Sequence, residues 1–559
     1  MADISGLLAH LPTDLENELA ETALRVLRAA QQRSCATTDT NALGSLVLSM
    51  LDCVKSALLP DLRAHNAAQI ARAGLPEELW CMIWGHLSME DRVRVTHVCS
   101  AWRQLAVGTP RLWCSLDFFS SRHDGDCDCG RCRFLHDEDA VCDRCDDDLL
   151  VGRSNIVLVT ALLPRSQQLP LHLHVDTPHY ETDEEVLHEI AVTLLAHAHR
   201  LEVISIYSQD EQTVLRLLNG LGPTLPALRV LDCNIAHFAS LVKAMPAMLP
   251  CLQTVALRDG YGYVDSEDYA DAPSFPSVHT LHIRLSNQND LESYLNTFPS
   301  VQHLHVTVAR AAMRTAPAIP LSGRTNARSI SSVHVYDVSP SYEDAVLAFF
   351  HDVNLHTLVI VYDPDPSPED SSERPSPCRG LDVFVDLSCP TILHCSAKGA
   401  HDAVLSAEDN GKRREVRIPS STVGFLWKSL STTHLSTVRI DASLCPALFC
   451  SGAPEFPALR LFEIAFQGSD EFLGVLGKDI IRRMSSMSTP SLDTLRILNL
   501  GPSFARIDAS YIALFTNLFC GGRVIRTLSL RRILVICDAE ELSSIANTVE
   551  YGVQGGFPG

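Results

Sequence analysis

A short unit of the form apolar-x-x-apolar-x-apolar recurs along most of the chain and constrains its fold more than any other feature. It runs as Leu201/Ile204/Ile206, Leu228/Leu231/Cys233, Leu252/Val255/Leu257, Val278/Leu281/Ile283, Val301/Leu304/Val306, Ile330/Val333/Val335 and Leu355/Leu358/Ile360. It returns as Leu435/Val438/Ile440, Leu459/Phe462/Ile464, Leu492/Leu495/Ile497 and Ile525/Leu528/Leu530. The first seven starts are 27, 24, 26, 23, 29 and 25 residues apart, room for one strand and a returning helix or turn. No single unit can shelter its apolar side, so neighbours must stack as parallel strands with helices on the outer side. Residues 210–218 and 342–350 suit such helices. Pro226, Pro250, Pro276, Pro299, Pro457 and Pro490 each stand just before a strand, where a missing N–H costs no ladder bond. Residues 361–434 break the register, and residues 363–378, rich in Pro, Ser and acids, read as a disordered loop.

In such a stack the residue between the last two apolar positions faces outward. Asp232, His282, His305, His334, Arg439, Glu463 and Arg496 therefore form the candidate substrate face. The three histidines fall on successive strands, about 5 Å apart. Ordinary polar surface is the reading they fit best, ahead of recognition of an acidic ligand or pH sensing, and a metal site without nearby carboxylates fits them least.

Upstream, residues 16–59 carry apolar positions at helical spacing, interrupted by a polar run at 34–41. Residues 75–113 then read LPEELWCMIWGHLSMEDRVRVTHVCSAWRQLAVGTPRLW. Pro76 suits a first helical turn, with Glu77 and Glu78 at its positive end. Leu79, Ile83 and Leu87 share one face, Ser88 with Asp91 starts a second helix, and Gly108 with Pro110 stops a third. Helices this short keep apolar surface that asks for a partner.

The order Leu-Pro, Glu-Leu-x-x-x-Ile, Leu, Val-x-x-Val-Cys-x-x-Trp-x-x-Leu and Pro-x-Leu-Trp resembles the F-box family. It looks most like the F-box-like proteins abundant in mushroom-forming fungi. The resemblance implies that Leu75, Pro76, Leu79, Ile83, Leu87, Val95, Val98, Trp102, Leu105 and Trp113, with Cys99 and Leu112 in the same motif, are interface and core positions for the Skp adaptor of a cullin-RING ubiquitin ligase. The repeats in turn resemble a divergent leucine-rich-repeat array, except that the asparagine usual after each strand is largely missing.

Between the two parts lie Cys127, Cys129 and Cys132, then Cys142 and Cys145, in a segment crowded with aspartates. The pairs Cys129/Cys132 and Cys142/Cys145 have the spacing for one tetrahedral structural Zn. A flexible acidic excursion with free thiols fits the same composition. The other cysteines sit among Leu and Val and read as small buried hydrophobes in a reducing compartment.

The resulting expectation is an α/β protein in four parts. These are a helical segment at 1–70, a three-helix F-box-like module at 73–118, an acidic cysteine-rich insertion at 120–150, and an irregular leucine-rich-repeat-like solenoid at 151–545. A formal charge of −22, from 45 basic and 67 acidic residues, opposes a continuous phosphate-binding surface, so no nucleic-acid partner is expected. No apolar run reaches the roughly 20 residues of a membrane helix, so no membrane partner is expected and the site of action is cytoplasmic or nuclear. Nucleotide-binding, serine-hydrolase, zinc-protease and dinucleotide motifs are all missing, and no enzyme and no obligatory cofactor is expected. The function expected is a substrate-recognition adaptor with an unknown protein target. The other readings are a scaffold outside any ligase, and a zinc- or cysteine-dependent enzyme centred on residues 127–145.

Overall fold

The computed structural model describes residues 75–121, 153–177, 184–208, 211–234, 249–257, 274–285, 290–308, 329–338, 343–350, 355–362, 379–399, 402–449, 454–468, 489–536 and 540–552, with isolated positions at 321, 327 and within 21–29. The helical segment expected at 1–70, apart from those few positions, the cysteine-rich insertion expected at 120–150, apart from its first two residues, and the loop at 363–378 lie outside the described residues. The chain divides into two units at Leu112/Trp113.

The first unit contains three short helices, α1 (Glu77–Gly85), α2 (Met89–Val98) and α3 (Ser100–Val107). Pro76 caps α1, its carbonyl accepting from the Leu79 and Trp80 amides. Ser88 caps α2 through its hydroxyl, which accepts from the Asp91 amide at 3.1 Å, while Glu90 and Asp91 complement the positive helix end. Cys99 caps α3, its sulfur accepting from the Trp102 amide at 3.4 Å.

The second unit is a mixed α/β body dominated by a large, mostly parallel sheet. Its strands are β1 (Ser115–Ser121), β2 (Arg153–Ser154), β3 (Leu171–Thr177), β4 (Leu201–Ser208), β5 (Val230–Cys233), β6 (Thr254–Leu257), β7 (Thr280–Leu285), β8 (His303–Val308), β9 (Ser332–Val338) and β10 (Thr357–Tyr362). After these come β11 (Ile392–Lys398), β12 (Asp402–Asp409), β13 (Lys412–Pro419), β14 (Thr437–Asp441), β15 (Leu461–Phe466), β16 (Thr494–Asn499), β17 (Ala505–Asp508), β18 (Ile525–Arg531), β19 (Ile533–Ile536) and β20 (Ala546–Gly552). Eighteen of the described strands form one sheet, and β17 and β19 form a separate parallel pair.

From β3 to β10 every strand pairs in parallel with the next. The same holds from β14 to β16 and on to β18 and β20. All thirty-three apolar positions of the eleven units are at most 4% exposed, so the rhythm read in the sequence is the inward side of this sheet. Helices and turns between strands close over that side: Phe462 of β15 meets Phe519 of the helix Ala509–Phe519 with ring centroids 4.4 Å apart.

The prolines act one step earlier than strand entry. Each sits second in a tight turn closed by an amide-to-carbonyl bond, Leu228 to Leu225, Leu252 to Leu249, Val278 to Phe275, Val301 to Phe298, Leu459 to Phe456 and Leu492 to Thr489. Proline's fixed φ suits that second position, and the residue before it packs inward in every case. Where the usual asparagine is missing, the turns after strands are closed by varied side chains. The Asn234 carbonyl oxygen accepts from the Ser208 amide at 2.6 Å, and Asp441 accepts from the Ala397 amide at 2.7 Å. Buried Asn499 accepts from the Gly468 and Gly501 amides and donates to the Ser503 carbonyl.

The register break at 361–434 resolves into an antiparallel meander of β11, β12 and β13 inserted backwards into the sheet. Its last strand, β13, joins β10 in parallel, and its first, β11, joins β14 in parallel. Arg414 of β13 points inward where an aliphatic residue would be expected. It is 1% exposed, pairs with Asp386 at 2.6 Å and donates to the Leu355 carbonyl at 3.2 Å. Burying that charge is tolerable only because carboxylate and carbonyl partners surround it.

Candidate functional site

Two surfaces have the character of binding sites. The first is built by α1. Trp80 and Trp84, one turn apart, face inward and meet Trp102 of α3, with ring centroids 5.0 to 6.0 Å apart in tilted arrangements. This aromatic cluster is the core of the three helices, supplemented by Met89, Val95 and Ala106. Arg92 is also buried, donating to the Leu112 and Ser88 carbonyls, and so ties α2 to the end of the unit. With the tryptophans on one side, the opposite side of α1 turns aliphatic residues to solvent. Leu79, Met82 and Ile83 are 41, 63 and 47% exposed, and Leu75 lies just before them at 40%.

The residues assigned by resemblance therefore divide. Leu75, Pro76, Leu79, Ile83 and Val98 are exposed and offer contact surface; Leu87, Cys99 and Leu105 are half-buried. Val95 and Trp113 are buried and Trp102 is half-buried against Trp80 and Trp84, so these three fall on the core side of that interface-and-core set. Val95 and Trp102 pack inside the helices, and Trp113, fully buried at the start of the second unit, lies under the Arg165 guanidinium. Trp80, Trp84 and Met82 were missed by the sequence reading, although Trp80 and Trp84, four residues apart, share one helix face at core spacing.

The second surface is the outward side of the sheet, where one register row crosses seventeen strands. It runs from Asp117 through His174, Ser205, Asp232, Ala256, His282, His305, His334 and Val359. It crosses the meander at Glu415, Ser406 and His394 and continues through Arg439, Glu463, Arg496, Ser529 and Glu550. All seven candidate face residues are thus brought into one row, Asp232, His282, His305 and His334 before the break in register and Arg439, Glu463 and Arg496 beyond it.

Asp232 and Glu463 are corrected from exposed to buried, at 8 and 9% exposure. Strands under 5 Å apart let neighbouring side chains cover them. The Tyr207 hydroxyl donates to Asp232 at 3.0 Å, and Glu463 is held between Arg496 at 2.7 Å and Arg439 at 3.7 Å. Glu463 is thereby neutralised within the row.

The histidines behave differently. His282 and His305 stack with centroids 4.0 Å apart and planes 12° apart, and His305 stacks on His334 at 4.5 Å and 22°. The Tyr336 hydroxyl lies 3.4 Å from His305 Nδ1. Burial first, then the charges that His282, His334 and His303 would carry, pushes His305 down to about 3. His334 is also lowered, chiefly by burial, with Glu415 opposing the shift and His303 and Arg413 adding to it. Both shifts favour the neutral imidazole at His305 and His334. Among the described residues no group of three or more donors converges on a metal position, and the four cysteines Cys129, Cys132, Cys142 and Cys145 lie outside them.

No curated protein matches the chain. A family model described as F-box-like matches residues 73–118, the stretch whose helices expose the aliphatic side of α1, and the chain accordingly carries an F-box-like domain there.

Proposed function

We propose that this protein is the substrate-recognition subunit of a Skp-cullin-F-box ubiquitin ligase. The observation that carries the reading is the pairing of an F-box-like match with an α1 whose aliphatic side is left in solvent while its tryptophans hold the helices together. Burying Leu75, Leu79, Met82 and Ile83 against the Skp adaptor would return about 1.5–3 kcal/mol per fully covered side chain. Through the adaptor the chain would join a cullin-RING ligase.

The second unit would then act as the target-binding arm, a leucine-rich-repeat-like solenoid whose outward row meets a protein substrate. Parallel strands at 23- to 29-residue intervals and the recurring proline turn support that reading. The same proposal includes kinship with the F-box-like proteins of mushroom-forming fungi. Its chemistry is positional: the chain makes and breaks no bond, and raises the effective concentration of a target's lysines near a ubiquitin-loaded enzyme. No helix among the described residues is long and apolar enough to cross a membrane, which suits action in the cytoplasm or nucleus. A structural Zn at Cys129, Cys132, Cys142 and Cys145 remains part of the proposal and is tested by metal content of the purified chain.

Co-precipitation with the Skp adaptor tests the central claim. Retention of the wild-type chain and loss in the Leu79→Asp, Ile83→Asp double variant is the expected result. A wild-type chain that the adaptor does not retain would favour a protein-binding scaffold outside any ligase.

A further inference from the structure

Among the charged side chains one kind is nearly missing. Of 45 basic residues only six are lysine, Lys55, Lys243, Lys398, Lys412, Lys428 and Lys478, although lysine is ordinarily among the commonest residues of a soluble domain. None falls within the F-box-like stretch 73–118, and Lys243 alone lies between 56 and 397. Positive charge is kept, and arginine carries it. We propose that this exclusion of lysine makes the chain a poor acceptor of ubiquitin from the ligase that it serves, so that the receptor outlasts its targets. The inference rests on the adaptor reading and adds to it how the receptor itself is spared.

Geometry asks for arginine at some positions and not at others. Arg200 is buried and donates to the Ser166 hydroxyl at 2.8 Å and the Leu169 carbonyl at 2.9 Å, and Arg414 grips both oxygens of Asp386. Only a planar fork with several donors can do that. At exposed positions the fork is idle. Arg229 meets Glu202 at 3.3 Å, Arg526 meets Asp493 at 3.9 Å, and Arg94 meets Glu90 and Asp91 at 3.5 and 2.7 Å, with the three arginine side chains 57 to 75% exposed. Arg460 is exposed as well. A compact ammonium would serve such surface pairs equally. Packing and pairing therefore do not account for arginine there, and the remaining difference between the two side chains is that lysine can act as a nucleophile.

Ubiquitin transfer needs that nucleophile. The Lys Nζ lone pair attacks the thioester carbonyl of a ubiquitin-loaded enzyme, an isopeptide bond forms, the carbon–sulfur bond breaks, and the sulfur leaves as a thiol with the amine's proton. A guanidinium stays protonated and accepts no such role. A chain tethered to the ligase meets the thioester at high effective concentration whatever its target, so each exposed lysine on it competes with the target's own. Among the described residues the lysines are Lys398 at the end of β11, Lys412 at the start of β13 and Lys428 in the short helix Leu426–Ser429. All three lie in the meander or just after it, which confines acceptor sites on the described surface to that one segment.

The test is reconstituted ubiquitination of the full chain assembled with the Skp adaptor, a cullin and a RING protein. The parent is compared with an Arg94→Lys, Arg229→Lys, Arg460→Lys, Arg526→Lys variant, which keeps every charge. Ubiquitin per chain should rise about fivefold or more in the variant. Mass spectrometry should find it at the introduced positions, while thermal unfolding and adaptor co-precipitation match the parent. A parent chain extended by a flexible lysine-containing tail needs no substitution in the fold and should show the same rise. Added lysines that leave the rate unchanged in both chains, or modification confined to the six native lysines, would overturn the inference and leave the adaptor reading standing. A parent chain that the adaptor does not retain would overturn the adaptor reading and this one with it.

Discussion

The helical unit hides its aromatic residues and leaves aliphatic ones in water, whereas the sheet hides its aliphatic residues and sets polar ones outward. The difference follows from size. Three helices of eight to ten residues have one interior, and three tryptophans fill it. A sheet of eighteen strands with covering helices can shelter an entire apolar side and still present another. An apolar surface gains on burial against any complementary groove, while in a polar row such as Arg439, Glu463 and Arg496 the charged groups already partner one another. The first surface therefore suits one standing partner, and the second suits selective contact.

The largest effects should separate the two units by stability. Arg414→Ala would leave the part-buried Asp386 without its partner and open a cavity beneath the sheet, costing about 3 kcal/mol, seen as earlier unfolding of the sheet with the helices unaffected. Trp84→Ala removes the most buried member of the aromatic cluster and should cost about 3–5 kcal/mol in the helices alone. If either variant lowered both transitions equally in calorimetry, the division into independent units would fail. Next in size, the Leu79→Asp, Ile83→Asp double variant should weaken adaptor retention about 100-fold, about 2.7 kcal/mol, with unfolding shifted by no more than about 0.5 kcal/mol per site. Weakened retention accompanied by unfolding would make those residues core instead of contact surface.

The smallest effect is with pH. His305 titrates near 3 when folded and near 6.5 when unfolded, so the unfolded chain takes its proton first as acid is added. Stability is complete above about pH 6.5 and declines as pH falls toward 3, with His282, His303, His334 and Tyr336 as the groups around the ring. Because the ring is half-exposed, the contribution is on the order of 1 kcal/mol after solvent screening. His305→Phe should flatten that part of the pH profile measured by urea unfolding, and an unchanged slope would show that the stack carries no such linkage.

The strands were legible because inward positions alternate with outward ones and each unit repeats the same apolar triplet. β3 has the same alternation in Leu171, Leu173 and Val175 but not the triplet's spacing, and it escaped notice. β13 was illegible for a different reason: Arg414 takes an inward position, and only the fold reveals that Asp386, 28 residues earlier, compensates it. The helices of the F-box-like domain were legible from their caps, but their facing was not. Leu79 and Ile83 read as an apolar stripe whichever way they point, and the decision lay with Trp80 and Trp84, whose bulk claims the interior. The histidine row was visible as spacing, while its stacking depends on rotamers that spacing does not set.

The backward meander has a consequence for synthesis. From β3 to β10 each strand can dock on one already in place as the chain leaves the ribosome, since its neighbour has just been made. β11 and β12 emerge with nothing to rest on, because the strand that attaches them to β10 is β13, the last of the three to be translated. Nascent chains should therefore stall as a half-built sheet with an open edge at β10 until residue 419 has cleared the exit tunnel. That interval is when a chaperone would have most to do.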